Sequence, residues 1–116
     1  MKTAIPMDEN KIDVCVSFAR APLFLIEEDG KSEFKENPAA EAEGGAGLKA
    51  AQFLLDEEVD RLITVRCGEN AAKVLKAAEI EIYKSLKVSA EENLKLLHEG
   101  KLEILTHFHA GFHGGH

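Results

Sequence analysis

The chain has no tryptophan and a single tyrosine, Tyr83, so the aromatic platforms on which unpaired bases stack are missing. Positive charge is also scarce. Fourteen lysines and arginines against 21 aspartates and glutamates leave a formal charge of −7 at pH 7, whereas phosphate binding needs a basic patch. Together these absences argue for no nucleic acid partner. No stretch approaches the ~18 apolar residues of a membrane span, and the first residues lack a signal peptide's apolar block, so no membrane is expected and the cytoplasm is the expected compartment. Two cysteines, Cys15 and Cys67, are too few for a disulfide framework. Gly44, Gly45 and Gly47 are not followed by Gly-Lys-Ser/Thr, which excludes a phosphate-binding P-loop. Asp8 follows the first predicted strand, but no acid flanks Val65-Arg66, so the paired carboxylates of metal-assisted hydrolysis are absent and no enzyme is expected.

What the chain does have is a periodic α/β pattern in 116 residues, enough for one core and too few for two. Thr3-Ala4-Ile5 reads as a strand stopped by Pro6, which cannot donate to a ladder. Residues 23–26 are a continuous apolar run, the mark of a strand covered on both faces. Asp29-Gly30 supplies a hairpin turn, and residues 31–36 read as a charged edge strand with one apolar residue, Phe34. A helix is expected over residues 48–57, with Leu48, Ala51 and Leu55 on one face. A buried strand follows at 61–65, then a helix from Asn70 to Ala78. Ile80 and Ile82 alternate with Glu79, Glu81 and Tyr83 as an edge strand does. Ser89 with Glu92 forms a capping box for a last helix, which stops at Gly100. Residues 102–105 read as a short strand or a strap.

The order β-β-β-α-β-α-β-α predicts an α/β fold with a mixed five-stranded sheet in the order 3-2-1-4-5 and three helices. Strands 1 and 4 are then parallel neighbours, and ligands bind outside the carboxyl ends of such strands. The loops holding Cys15, Cys67 and the glycines 44–47 fall on that side. Cys67 in particular ends a strand just before a helix start, where free N–H groups favour anions and lower a thiol's pKa. Asn70 reads as the N-cap of that helix or as a cofactor contact. Arg20 either pairs with an anion or holds its loop through backbone carbonyls. Gly45 and Gly47 let backbone amides approach a ligand, or simply permit a turn. His107, His109, His113 and His116 stand among glycines in a stretch with no apolar period, expected as a flexible tail over 107–116 that chelates divalent metal, beside a single domain over 1–106. His98 reads as a surface residue near a helix end.

Ile5-Pro6-x-Asp8-Glu9-Asn10, Ser17-Phe18-Ala19-Arg20-Ala21-Pro22-x-Phe24, Glu36-Asn37-Pro38-Ala39, Gly45-Ala46-Gly47 and Cys67-Gly68-Glu69-Asn70-Ala71 are collinear. Together with the His/Gly-rich end they resemble the dinitrogenase iron–molybdenum cofactor biosynthesis family, the small domain shared by NifX and the C-terminal part of NifB. The resemblance implies a ribonuclease-H-like three-layer fold and a non-catalytic protein that binds or carries an iron–sulfur or iron–molybdenum cofactor or its precursor, exchanging it with a cofactor-donor or acceptor protein. The family's usual Ser-x-His-Phe-Gly-Arg stands here as Cys15-Val16-Ser17-Phe18-Ala19-Arg20, so its histidine is replaced by Ser17. The cofactor-binding set expected on this basis is Cys15, Ser17, Arg20, Gly45, Gly47, Cys67, Gly68 and Asn70. Metal ligands are expected from Cys15, Cys67, His107, His109, His113 and His116. Two other readings fit the same residues: a protein-interaction module that has lost the cluster, and a divalent-metal buffer acting through the histidines.

Overall fold

Alternation along the strands decides the layering. In a strand, successive side chains point to opposite faces, and here both faces of β1, β2 and β4 are buried while β3 is exposed. The structure, a computed structural model, describes residues 1–110; His113 and His116 lie outside the described residues. Five strands, β1 (Lys2–Met7), β2 (Leu23–Glu28), β3 (Lys31–Glu36), β4 (Arg61–Thr64) and β5 (Glu81–Lys84), form one sheet in the order β3-β2-β1-β4-β5. The β1 pairings with β2 and of β2 with β3 are antiparallel; β1–β4 and β4–β5 are parallel. Ala4, Phe24, Ile26, Leu62 and Ile82 join the core under α1 (Ala46–Asp56) and α2 (Glu69–Ala77). Ile5, Met7, Leu25 and Ile63 join a second core with Ala90 and Leu97 of α3 (Ala90–His98).

The Asp29-Gly30 turn works as its residue types demand: φ is positive at both, 53° and 82°, which matches the twist of the β2–β3 hairpin. Pro6 does not stop β1. It lies within the strand opposite Phe24, and its carbonyl accepts from Cys15 N–H at 2.8 Å instead of from β2. Both backbone groups of a strand residue point the same way, so the missing N–H of Pro6 removes no bond to β2. Helix α1 starts two residues earlier than the pattern suggests and buries Ala46, Ala50, Ala51 and Leu54, which leaves Leu48 half exposed.

Helix α3 carries the serine half of the expected capping box: Ser89 Oγ accepts from Glu92 N–H at 3.2 Å, while the Glu92 carboxylate accepts from the Ser89 hydroxyl and not from its N–H. Below it, the fully buried Asn93 accepts from the amides of Leu86 and Lys87 at 2.9 and 3.2 Å and donates to the carbonyls of Lys87 and Ser89 at 2.9 and 2.8 Å. One side chain thus folds the whole β5–α3 loop. After α3 the chain returns as a strap along β5: Lys84 N–H donates to Glu103 O and Leu105 N–H to Ile82 O, both at 2.8 Å.

Candidate functional site

The three parallel strands end together at Met7, Thr64 and Lys84, and all three helices begin at this same edge. The caps differ in kind. Ser89 satisfies α3 with its hydroxyl, whereas α1 and α2 are capped by Gly45 and Gly68 with no side-chain acceptor. Gly45 sits at φ 66°, a left-handed conformation that a Cβ would strain. The first turns of α1 and α2 touch, for a Cβ on Gly47 would lie 3.6 Å from Ala71 Cβ. Two positive helix ends therefore converge beside β1 and β4, an arrangement suited to a negatively charged guest.

Next to them the loops after β1 and β3 are tied down. Arg20 Nη1 donates to the carbonyls of Ala42 and, at 3.4 Å, Ala40, so it takes the loop-holding role of the two expected for it. Ser17 Oγ accepts from Arg20 N–H at 3.0 Å and shapes the turn. Asn37 is the residue that sequence reasoning passed over. Buried, it donates to the carbonyls of Ala19 and Ala21 at 2.9 and 2.8 Å and accepts from Ala39 N–H at 2.9 Å. The Asn-Pro dipeptide after a strand was its signal, as an Asx turn start. Between these loops lies an open cleft of about 610 Å³, lined by Asp8, Glu9, Asn10, Arg20, Pro22, Ala40 and Glu41.

The thiols contradict the simple reading. Cys67 is 1% exposed and belongs to the core under α1 and α2, its Sγ 3.6 Å from Gly68 O. Burial pushes its pKa up to about 12, and the nearby Lys76 charge offsets this only in part. The helix start was expected to lower that pKa; the side chain instead turns inward, where the charged form loses its solvation. Cys15 is half buried and also raised, chiefly by burial, with Asp8 adding to the rise and a backbone hydrogen bond at Ser17 opposing it. Among the described residues no three His, Cys, Asp or Glu side chains gather into a metal-sized group. Asn70 is not the cap: α2 begins at Glu69, which leaves Asn70 exposed in its first turn.

The segment expected to be free from residue 107 onward is in part docked. Phe108 packs on the α1/α2 core with Lys76 Nζ 4.2 Å from its ring centroid, and His109 O accepts from Glu69 N–H at 2.9 Å. The apolar period missing from the sequence is supplied by one aromatic ring and a backbone bond, neither of which repeats. His107 is exposed, while His109 lies against Gly68, where an added Cβ would stand 3.2 Å from its Cε1. Gly68→Val should therefore push His109 away, since Gly68 has an ordinary extended backbone (φ −75°, ψ 157°) that valine tolerates. Amide exchange at Glu69 is expected to speed up at least ~10-fold, with β-sheet amides unchanged; an unaltered Glu69 rate would show that the strap does not protect this helix end.

Residues 1–100 match the family described as dinitrogenase iron-molybdenum cofactor. An uncharacterised protein of Methanocaldococcus jannaschii is 34% identical over 108 residues, covering 89% of this chain and 90% of its own. The solution structure of a putative NifB protein from Thermotoga superposes with a TM-score of 0.77 at 35% identity, covering 95% of this chain and 97% of that one. The apo form of the orange protein from Desulfovibrio gigas gives a TM-score of 0.83 at 23% identity, over 90% and 92% of the two chains, a likeness of fold.

Proposed function

Since the chain belongs to the dinitrogenase iron-molybdenum cofactor family, we propose that it carries an iron–sulfur or iron–molybdenum type cofactor, or a precursor, as cargo and passes it on without making or breaking covalent bonds of its own. The ribonuclease-H-like assignment of the three-layer fold goes with the same reading. The observation that carries the proposal is the meeting of the two glycine-capped helix ends at Gly45–Gly47 and Gly68–Ala71. Sulfide-bridged clusters bear net negative charge, and the amides of the two helix ends, apart from Glu69 N–H, which His109 O already takes, suit such a guest. Cys15 is the more accessible of the two thiols, and His109, against Gly68, is a further donor. Cys67 joins them only if its burial is relieved.

A carrier must also meet a donor or acceptor protein. Ile12, Val16, Leu86 and Val88 are 54–71% exposed, on two segments joined by Val14 N–H to Val88 O at 2.8 Å and Ala90 N–H to Ile12 O at 2.9 Å. Exposed apolar residues at the edge where the cargo would sit favour a docking partner there, and they keep the interaction-module reading in view.

Anaerobic reconstitution with ferrous iron and sulfide, with and without molybdate, tests the carrier reading. Wild type is expected to develop stoichiometric cluster absorbance. Gly47→Leu, which inserts a side chain between the helix ends, is expected to lose at least ~10-fold in loading, and Cys15→Ser to lose less. No cluster on the wild-type chain would discard the carrier reading. Metal uptake that survives Gly47→Leu and Cys15→Ser but disappears with His107→Ala/His109→Ala would favour the buffer instead.

A further inference from the structure

Of the two sheet edges, β5 is covered by the strap through Lys84 N–H to Glu103 O and Leu105 N–H to Ile82 O, while β3 carries no neighbour among the described residues. Every β3 side chain except Lys35 is exposed. Which backbone groups face outward follows from the pairing. Asn37 N–H donates inward to Pro22 O at 3.1 Å, so Lys35 and Glu33, at the same parity, also turn their N–H and C=O toward β2. Ser32, Phe34 and Glu36 are left with theirs directed at solvent. Such an edge is a template for another strand unless its charges forbid it.

We propose that β3 pairs antiparallel with β3 of a second copy of this chain, joining the two sheets across a two-fold axis. An axis normal to the sheet keeps each residue on its own face, so it must pass between a residue and the same residue of the second copy. Two registers pair five residues from each strand. Centring on Glu33 sets Glu33 against Glu33 and Lys31 against Lys35, which is repulsive. Centring on Phe34 sets Glu33 against the partner's Lys35 twice and Phe34 against the partner's Phe34. It also places the outward amides of Ser32, Phe34 and Glu36 opposite one another, for about six backbone hydrogen bonds. The charges that guard this edge against other strands are thus self-complementary in one register. Phe34 is 39% exposed, and the Lys11 ammonium stands 5.5 Å from its ring centroid. Lys35 already holds Glu57 Oε1 at 2.7 Å, and its three donors allow a second carboxylate. An edge-to-edge contact is small, so the association is weak, with a dissociation constant of roughly 0.1 mM.

Sedimentation equilibrium on the full chain from about 10 μM to 1 mM tests this. Wild type is expected to move from monomer to dimer across that range. Lys35→Glu and Glu33→Lys, each placing like charges across the axis, are expected to weaken association at least ~10-fold, and the double charge swap to restore it to within about threefold. Amide exchange at Phe34 should slow with concentration, while Glu33, already bonded to β2, stays constant. A wild-type chain that is monomeric at 1 mM overturns the proposal. So does a dimer indifferent to the single swaps or not restored by the double, and the Phe34 and Glu33 amides of wild type decide the matter if a variant fails to fold.

Discussion

Asn93→Ala is expected to destabilise the protein by about 3 kcal/mol and lower its melting temperature by roughly 15 °C. The side chain is fully buried, and its amide satisfies two backbone N–H groups and two carbonyls of the loop between β5 and α3. Alanine leaves these without partners and opens a cavity, and unmade buried hydrogen bonds cost more than made ones contribute. Asn93→Asp keeps the shape but presents only acceptors to the carbonyls of Lys87 and Ser89, so it should be destabilising as well. Urea unfolding of the three proteins checks this. A loss below about 1 kcal/mol for alanine would mean that the loop is held elsewhere, for instance by its bridge between Ser89 and Asp13.

The second large effect concerns alkaline pH. Burial lifts the Cys67 thiol from the ordinary value of 9.0 to about 12 in the fold. The folded chain therefore holds this proton more tightly than the unfolded chain does. The associated stability is fully present below pH 9 and drains away as pH rises from 9 toward 12. At pH 11 the loss is on the order of 3 kcal/mol. Cys67→Ala forfeits about 1 kcal/mol of packing at pH 7 but has no thiol to ionise. Its stability should therefore start below that of wild type and overtake it between pH 9 and 11. Parallel denaturation curves at pH 7, 9, 10 and 11 would show the crossing. A constant gap would mean that Cys67 is solvated and open to ligation as it stands. In the same pH range an alkylating reagent should modify Cys15 well before Cys67, since the thiolate is the reacting form.

Much of the fold was legible because local pattern and global fold agree. The 3-2-1-4-5 order needed only strand parity, an Asp-Gly turn and right-handed crossovers. The elements misjudged were those where a neighbour overrode a local rule. Pro6 stays in β1 because its carbonyl is met by Cys15 N–H. Leu48 faces solvent because α1 is phased by Ala50, Ala51 and Leu54. In the site, the positions of Gly45, Gly47 and Gly68 were readable from turn chemistry, but their meeting was not, for it depends on two helices packing side by side. Asn37 at least precedes a proline, a turn signal, but Asn93 is an ordinary polar residue of a helix until tertiary contacts bury it.

By itself the sequence determined the class of the fold, its family and the edge of the sheet where the Cys15, Cys67 and glycine loops gather, since periodicity, turn residues and motif order are local quantities carried by the chain. Only the tertiary structure decided what each candidate residue can do there. Cys67 stands at a helix start that should make it reactive, yet it turns into the core and becomes the least ionisable thiol of the pair. Arg20 holds the carbonyls of a neighbouring loop, Ser17 shapes a turn, and His109 docks at the end of α2 instead of hanging free. Solvation, burial and hydrogen-bond partners fix pKa and availability, and they are set by residues distant in the chain.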